Sequence, residues 1–316
     1  MDIECGIPIL DFRKSTGVTL EEGSHGWKEM SKKVREAFES HGAFLLRCDE
    51  IPHELRKEMF TGMKSLFDLP EETKLKYTGT GNFRGYNKLP GLPHSHSFSI
   101  DDAFQSDTTK KFTNLMWSEG NPSFSEALIS FSSKARELNS LILKMAVEGF
   151  GLPEKYILEV EELNSNANSR MTKYQLPEEN EGFAITCVPH TDKGTITFLC
   201  EDEVPGLQVL QKSGNWADVK FPPNGFIVIV GDMLQAWSNG RFKAPMHRVV
   251  LRGNKERFVF ILFSVPKKET IVKAPSELID EEDHPSLYKS FPFQEFMDFL
   301  KIYGTKEGEL KAFAGL

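Results

Sequence analysis

The second half of the chain consists of short β-rich runs separated by turns. Beyond Asn164, runs of four to eight residues rich in Val, Ile, Leu and Phe alternate with turn-forming residues. Strands of this length and spacing predict an antiparallel sandwich or barrel. The runs cover residues 170–176, 195–199, 207–210, 226–230, 247–251 and 257–264.

The first half has helical periodicity instead. Met30, Val34 and Phe38 would lie on one face of a helix over residues 27–40. We therefore expect an α+β fold, with residues 1–163 as a helical N-terminal segment with edge strands and residues 164–316 as a β core with a C-terminal helix, packed as one compact unit. The other helices are predicted over residues 52–67, 124–150, 153–163 and 292–303.

Composition excludes several classes of function. The 316 residues are 39% hydrophobic and 27% charged, the balance of a globular protein. The formal net charge is −8 with no stripe of Lys and Arg, so nucleic-acid binding has no electrostatic support. The four cysteines form no CxxC pair, and no apolar stretch approaches the ~20 residues of a membrane span. We expect a cytoplasmic monomer with a small-molecule substrate and no nucleic-acid or membrane partner.

A metal-binding pattern stands at the centre of the β-rich half. His190 and Asp192 are two residues apart, so on a strand both side chains would point to the same face. His247 begins a distant β-rich run that a sandwich can bring beside them. Two imidazoles and one carboxylate suit iron(II) and leave coordination positions open. An isolated H-x-D would be weak evidence, and the distal histidine in a β-rich context strengthens it.

Arg257 lies ten residues beyond His247 and begins a strongly apolar run. If its strand neighbours that of His247, its guanidinium can hold a carboxylate through two hydrogen bonds. The alternative is an ordinary surface arginine, but the apolar residues that follow it favour a pocket.

These motifs resemble those of the plant 2-oxoglutarate- and iron(II)-dependent dioxygenases, and the resemblance covers nearly the whole chain. Within that family the chain is most similar to a specialised-metabolism branch that includes the glucosinolate side-chain dioxygenases and deoxypodophyllotoxin synthase. The auxin-oxidising dioxygenases share residues 236–241 and are the near alternative. The matching segments are residues 7–11, 38–44, 67–74, 190–192, 231–241 and 247–249.

The resemblance implies a double-stranded β-helix, or jelly roll, with iron(II) at one open end, and 2-oxoglutarate and O2 as cosubstrates. It also implies oxidation of an unactivated C–H bond of a small specialised metabolite, with release of succinate and CO2. Hydroxylation, desaturation, ring closure and dealkylation all stay open, because the motifs do not choose among them.

The resemblance further assigns roles to single residues. His190, Asp192 and His247 would bind the iron, and Arg257 and Tyr174 would hold the far carboxylate of 2-oxoglutarate. The family usually carries a serine or threonine where this chain has Val259, and an asparagine where it has Thr172. The valine removes one hydrogen bond to the cosubstrate, worth about 1 kcal/mol.

Six apolar side chains are candidates for the substrate pocket, although each is a natural core residue as well. They are Phe112, Met116, Trp117, Phe198, Trp237 and Phe263.

Three alternatives remain open from the sequence. The same chemistry would suit an auxin-type hormone. Val259 favours a catalytically silent relative that only binds a small molecule. A zinc hydrolase would need a general base paired with the ligands, and none is evident.

Overall fold

The computed structural model describes residues 6–17, 19–79, 84–88, 94–175, 182–304 and 308–316. The helices are α1 (His25–Ser40), α2 (His53–Phe67), α3 (Glu71–Lys74), α4 (Ser106–Met116), α5 (Pro122–Gly149), α6 (Lys155–Leu163), α7 (Asp232–Trp237), α8 (Phe293–Tyr303) and α9 (Glu309–Ala314). The strands are β1 (Ile9–Asp11), β2 (Ala43–Arg47), β3 (Gly85–Lys88), β4 (Ser95–Asp101), β5 (Asn166–Tyr174), β6 (Phe183–His190), β7 (Ile196–Glu201), β8 (Leu207–Leu210), β9 (Trp216–Asp218), β10 (Phe226–Val230), β11 (His247–Arg252), β12 (Arg257–Val265), β13 (Ile271–Val272) and β14 (Phe291–Pro292).

The longest helix, α5, supports the main sheet. Its start is defined by Asn121, whose side chain accepts a hydrogen bond from the backbone N–H of Phe124, and by a proline in the first turn. Phe131 of α5 packs edge-on against Phe260 of β12, with ring centroids 4.7 Å apart. The helices therefore cover one face of the sheet.

Two sheets face each other and form the jelly roll. The larger has eight strands in the order β1-β2-β10-β7-β12-β5-β4-β3, and the smaller has the order β6-β11-β8-β9. Four strands from the first half of the chain thus extend the larger sheet.

Successive side chains of the central strands alternate between two faces of the larger sheet. One face packs against the helices, and the other faces the smaller sheet. In β12, Phe258, Phe260 and Leu262 belong to the core that contains the helices. Val259 and Ile261 belong to a second buried cluster between the two sheets. Because successive side chains point to opposite faces of a strand, the odd-numbered residues of β12 face the jelly-roll interior.

The predicted α+β jelly roll is confirmed, but the strand arrangement considered for Arg257 does not occur. The strand of Arg257 does not neighbour that of His247: β12 pairs with β5 and β7, whereas β11 pairs with β6 and β8. The chain crosses from the smaller sheet to the larger one between β11 and β12, so the two residues lie in opposite sheets.

The sequence patterns also missed several elements, namely α4, α7, α9, β6, β9, β13 and β14. Helix α4 is short, and two of the four residues on its buried face are threonines, Thr109 and Thr113, so its apolar pattern is weak. Strand β6 contains a proline and has no regular alternation. Residue 176, the expected end of the first β run, lies outside the described residues. In the described part of the chain, no helix is both long and apolar enough to cross a membrane.

Candidate metal centre

The two predicted histidines meet across a pair of strands. His190 ends β6 and His247 begins β11, and the two are direct partners in the register of these strands. Their ring centroids lie 4.3 Å apart. Asp192 Oδ1 lies 3.8 Å from Nε2 of His190 and 3.7 Å from Nε2 of His247. The ligand atoms of all three residues fall within 4.8 Å of one another, close enough to share one ion.

Backbone carbonyls orient both imidazole rings. Nδ1 of His190 lies 2.8 Å from the carbonyl oxygen of Val188, and Nδ1 of His247 lies 3.0 Å from that of Pro245. A carbonyl can only accept, so each Nδ1 carries the hydrogen and each Nε2 keeps a lone pair. Both Nε2 atoms are therefore prepared as metal ligands, as expected of histidines that bind a metal.

The carboxylate of Asp192 is held from its other side. The hydroxyl of Thr197 on β7 donates a 2.5 Å hydrogen bond to Oδ2, which leaves Oδ1 toward the histidines. Asp192 lies beyond the end of β6, so the predicted strand geometry for the H-x-D pair does not apply. The backbone N–H of Asp232 instead holds this turn by donating to the carbonyl of Asp192 at 2.8 Å.

A half-buried lysine connects this turn to the C-terminal helix. The Nζ of Lys193 donates to Thr191 at 2.8 Å, to Asp232 at 3.1 Å and to Glu309 of α9 at 2.8 Å. Burial raises the pKa of Asp232, and the nearby ammonium of Lys193 opposes that rise. The network fixes the chain on both sides of Asp192.

The arginine predicted to hold a carboxylate already holds one from its own chain. Arg257 is 1% exposed, and its Nε and Nη2 donate to Oε2 of Glu201 at 3.2 and 2.8 Å. Its guanidinium carbon lies 5.3 Å from the centroid of the Tyr174 ring, so the two residues share one subsite. Glu201 has no distinguishing pattern in the sequence, because an acid at the end of an apolar strand usually reaches solvent.

Val259 lies between two polar neighbours on adjacent strands. It is the register partner of Thr172 on β5 and of Glu201 on β7. The Oγ1 of Thr172 is buried and has no hydrogen-bond partner among the described residues. A hydroxyl therefore lies on the strand beside Val259 and is available to a ligand.

A glycine lets the arginine lie between the sheets. A Cβ added at Gly206, just before β8, would be 3.1 Å from both Cδ and Nε of Arg257. The same atom would be 2.7 Å from the carbonyl oxygen of Val250. Only a residue without a side chain leaves this passage open.

The six candidates for the substrate pocket do not all lie on the same side of the larger sheet. Phe263 packs against the cluster between the sheets. The other five belong to the helix-side core or pack against it: Phe112, Met116, Trp117, Phe198 and Trp237. Phe198, for example, stacks on Phe226 with centroids 4.6 Å apart. The residues of β7 alternate between faces, so Phe198 points away from its neighbour Thr197, which contacts Asp192.

A further arginine lies on the inner face of β5. Arg170 donates from Nε to Ser99 at 3.0 Å, and its guanidinium carbon is 4.9 Å from the centroid of the Phe263 ring. Burial lowers the pKa of Arg170, while the negative charge of Asp192 opposes that change. The sequence signal that could have identified it is its four-residue separation from Tyr174, which places both on one face of a strand.

Comparison with known proteins agrees with this geometry. Residues 7–119 match the N-terminal family model described for a non-haem dioxygenase in morphine synthesis, and residues 166–266 match the model of the 2OG-Fe(II) oxygenase superfamily. The Arabidopsis thaliana protein named "Probable 2-oxoglutarate-dependent dioxygenase AOP1" is 37% identical over 96% of this chain and 98% of its own. The A. thaliana 2-oxoglutarate-dependent dioxygenase AOP3 is 28% identical over 94% of this chain and 95% of its own.

Solved structures extend the comparison to the fold. The rice dioxygenase for auxin oxidation superimposes with a TM-score of 0.82 at 28% identity, over 98% of this chain and 100% of its own. The family predicted from the motifs is confirmed, as is the assignment of Fe(II) and 2-oxoglutarate as cofactor and cosubstrate. The chain belongs to the 2OG-Fe(II) oxygenase superfamily and is a 2-oxoglutarate-dependent dioxygenase.

Proposed function

We propose that His190, Asp192 and His247 bind the iron(II) of this oxygenase. The observation that carries the proposal is the fixed orientation of the two imidazoles, whose Nδ1 atoms are held by backbone carbonyls. Their Nε2 atoms and one oxygen of Asp192 then form the two-histidine, one-carboxylate set typical of non-haem iron oxygenases.

The far carboxylate of 2-oxoglutarate belongs, in this proposal, at Arg257. Tyr174 supports it from β5, and burial raises the pKa of its phenol, so the hydroxyl stays protonated and able to donate. Thr172 supplies the hydroxyl that Val259 lacks, from the neighbouring strand. The departure at residue 259 thus leaves the subsite with a hydroxyl donor.

The bound iron would supply the activation of O2, coupled to conversion of 2-oxoglutarate to succinate and CO2. The protein's own residues position the reactants and exclude water. Thr197 holds Asp192, and Phe263 lines the inner face close to that pair, its register partner on β7 being Thr197. The C–H bond placed nearest the metal decides between hydroxylation, desaturation, ring closure and dealkylation.

We propose a small specialised metabolite as the substrate. An acidic molecule of the auxin type is the second candidate, favoured by the position of Arg170 over Phe263 on the inner face. A guanidinium in a partly enclosed space is suited to a carboxylate.

Anaerobic addition of Fe(II) and 2-oxoglutarate tests the first proposal. A weak visible charge-transfer band is expected for the natural protein and not for His247→Ala. Absence of the band in the natural protein would favour a silent relative, and zinc in protein purified without chelator would favour a hydrolase.

A succinate-release screen against plant metabolites, followed by product mass measurement, tests the substrate class. Each carboxylic acid in the screen is assayed beside the corresponding amide. Both compounds are assayed with the natural chain and with Arg170→Gln. If the natural chain turns over the acid faster than the amide, and Arg170→Gln abolishes this preference, the auxin-type candidate is supported. Equal turnover of acid and amide by the natural chain argues against it.

We further propose that the protein acts as a monomer in the cytoplasm. Light scattering during size-exclusion chromatography tests the first point, and imaging of the tagged full-length chain tests the second.

A further inference from the structure

A buried carboxylate stands where the cosubstrate's carboxylate is expected. Glu201 is 6% exposed and Arg257 is 1% exposed, and two N–H groups of the guanidinium donate to one oxygen of Glu201. The register places Glu201 directly beside Val259, the residue that lacks the usual hydroxyl. The ion pair and the missing donor therefore belong to the same subsite.

A second carboxylate cannot enter this subsite unless one of the two carboxylates is protonated. With Glu201 ionised, the ion pair is neutral, and 2-oxoglutarate would add an unpaired negative charge to a buried place. Two carboxylates that share one buried site do not both stay ionised, and one of them takes up a proton.

We propose that Glu201 takes up a proton when 2-oxoglutarate binds, and that its neutral carboxyl then donates a hydrogen bond to the cosubstrate's far carboxylate. This inference rests on the function proposed above. The proton comes from solvent, and no bond other than the new O–H forms or breaks. Arg257 then binds the carboxylate of the cosubstrate in place of that of Glu201. Glu201 no longer competes for the guanidinium and instead donates a hydrogen bond to the cosubstrate.

The groups around Glu201 favour this exchange. Arg257 faces it from β12, with Tyr174 of β5 beside that guanidinium. Arg56 of α2 donates to the backbone carbonyl of Glu201 and not to its carboxylate. Burial already raises the pKa of Glu201, and the charge of Arg257 opposes the rise. Once the cosubstrate binds Arg257, the guanidinium stabilises the ionised form of Glu201 less, and Glu201 is protonated more easily.

The adjacent acid provides a matched control. Asp202 directly follows β7, and it forms a 2.7 Å ion pair with Lys64 of α2. Its backbone N–H donates to the carbonyl of Phe258 at 3.0 Å. Asp202→Asn removes a carboxylate one residue away without altering the pair between Glu201 and Arg257.

The sign of the pH dependence follows from the linkage between binding and protonation. The complex holds one more proton than the free protein at every pH between the pKa of Glu201 in the free protein and its higher pKa in the complex. Over that range the Kd for 2-oxoglutarate rises about tenfold for each unit of pH increase. Below it Glu201 is protonated in both states, and the dependence disappears.

Calorimetric titration of the Mn(II)-loaded protein with 2-oxoglutarate, in buffers of different ionisation enthalpy, measures the proton directly. Within that pH range we expect uptake of about one proton per site for the natural chain and for Asp202→Asn, and none for Glu201→Gln. Glu201→Gln imitates the protonated acid, so one pH unit above the lower end of that range it should bind 2-oxoglutarate about tenfold more tightly than the natural chain. All three proteins keep the same histidine ligands, so differences between them report on Glu201 alone.

The outcomes separate this inference from the proposed function. Binding to the natural chain without proton uptake, and with the same pH profile as Glu201→Gln, would overturn the role of Glu201 and leave the cosubstrate site intact. No binding by any of the three proteins would overturn both. If Glu201→Gln does not fold, the proton count of the natural chain still decides.

Discussion

At the scale of single residues, the candidate centre depends on hydrogen bonds from backbone and side-chain groups that are not themselves candidate metal ligands. Carbonyls select the tautomer of each histidine, and Thr197 turns Asp192 toward them. Partners of this kind commonly contribute ten- to a hundredfold in metal affinity. The H-x-D pattern and the distal histidine can be recognised in the sequence, whereas Thr197 becomes significant only once β7 lies beside the turn.

Replacing Thr197 with valine tests this support. The variant keeps the shape of the side chain and removes the donor to Asp192, so the Kd for Mn(II) or Fe(II) should rise about ten- to a hundredfold. Thr197→Ser keeps the hydroxyl and should bind metal nearly as the natural chain does. Equal affinities in anaerobic metal titrations of Thr197→Val and the natural chain would show that Asp192 needs no such support.

Thr172 allows a second test at this scale. Thr172→Val removes the hydroxyl beside Val259, and the Kd for 2-oxoglutarate should rise about fivefold, corresponding to about 1 kcal/mol. Metal affinity should not change, because Thr172 contacts none of the three candidate ligands. Thr172→Ser is the control and should retain cosubstrate affinity, as measured by titration of the metal-loaded protein. An unchanged Kd for the valine variant would mean that the buried hydroxyl serves another purpose.

At the scale of elements, the subsite is assembled from strands of both sheets. Arg257 begins β12 in the larger sheet, and its side chain passes Gly206, which precedes β8 in the smaller one. The runs that became β8, β10, β11 and β12 are evident in the sequence, because each is short, apolar and bounded by turn residues. Which strand lies opposite which is decided by the crossing of the chain between sheets, and residue periodicity does not contain that information.

Gly206→Ala tests the passage between the sheets. The added methyl group would press on Arg257 and on the Val250 carbonyl, and overpacking of this kind costs about 1–3 kcal/mol of folding free energy. Cosubstrate affinity should fall with it, because Arg257 must shift, while metal affinity should be retained. Denaturant unfolding and separate titrations with metal and with 2-oxoglutarate measure the two effects. Normal 2-oxoglutarate binding by a destabilised variant would show that the arginine has room to move.

At the scale of the whole molecule, the candidate centre joins segments that are far apart in the chain. The ligands come from β6, the following turn and β11, and Lys193 connects that turn to α9 near the C-terminus. A metal held by all three ligands would cross-link these segments in the folded state alone. Binding should therefore stabilise the whole fold.

Metal removal tests this coupling. At a free metal concentration about one hundred times Kd, the folded state should gain about 2.7 kcal/mol, seen as a higher Tm that chelator reverses. His247→Ala should melt at the same temperature with and without metal. A metal-induced rise in Tm that persists in His247→Ala would place the stabilising ion elsewhere.

The sequence by itself determined a helical first half, a β-rich second half of the sandwich or barrel type, the three candidate ligands and the arginine, whereas the jelly roll was implied by the family resemblance. These features follow from the periodicity of the apolar residues, from the positions of the histidines and the aspartate, and from the apolar run that Arg257 begins. All of them can be seen in the order of the amino acids alone. Tertiary structure alone decided that Glu201 meets Arg257 and that Phe263, unlike Phe198, faces the interior. Ion pairing and the facing of side chains depend on strand register and on the packing of two sheets, because a buried charge is defined by its spatial neighbours and not by its neighbours in the chain.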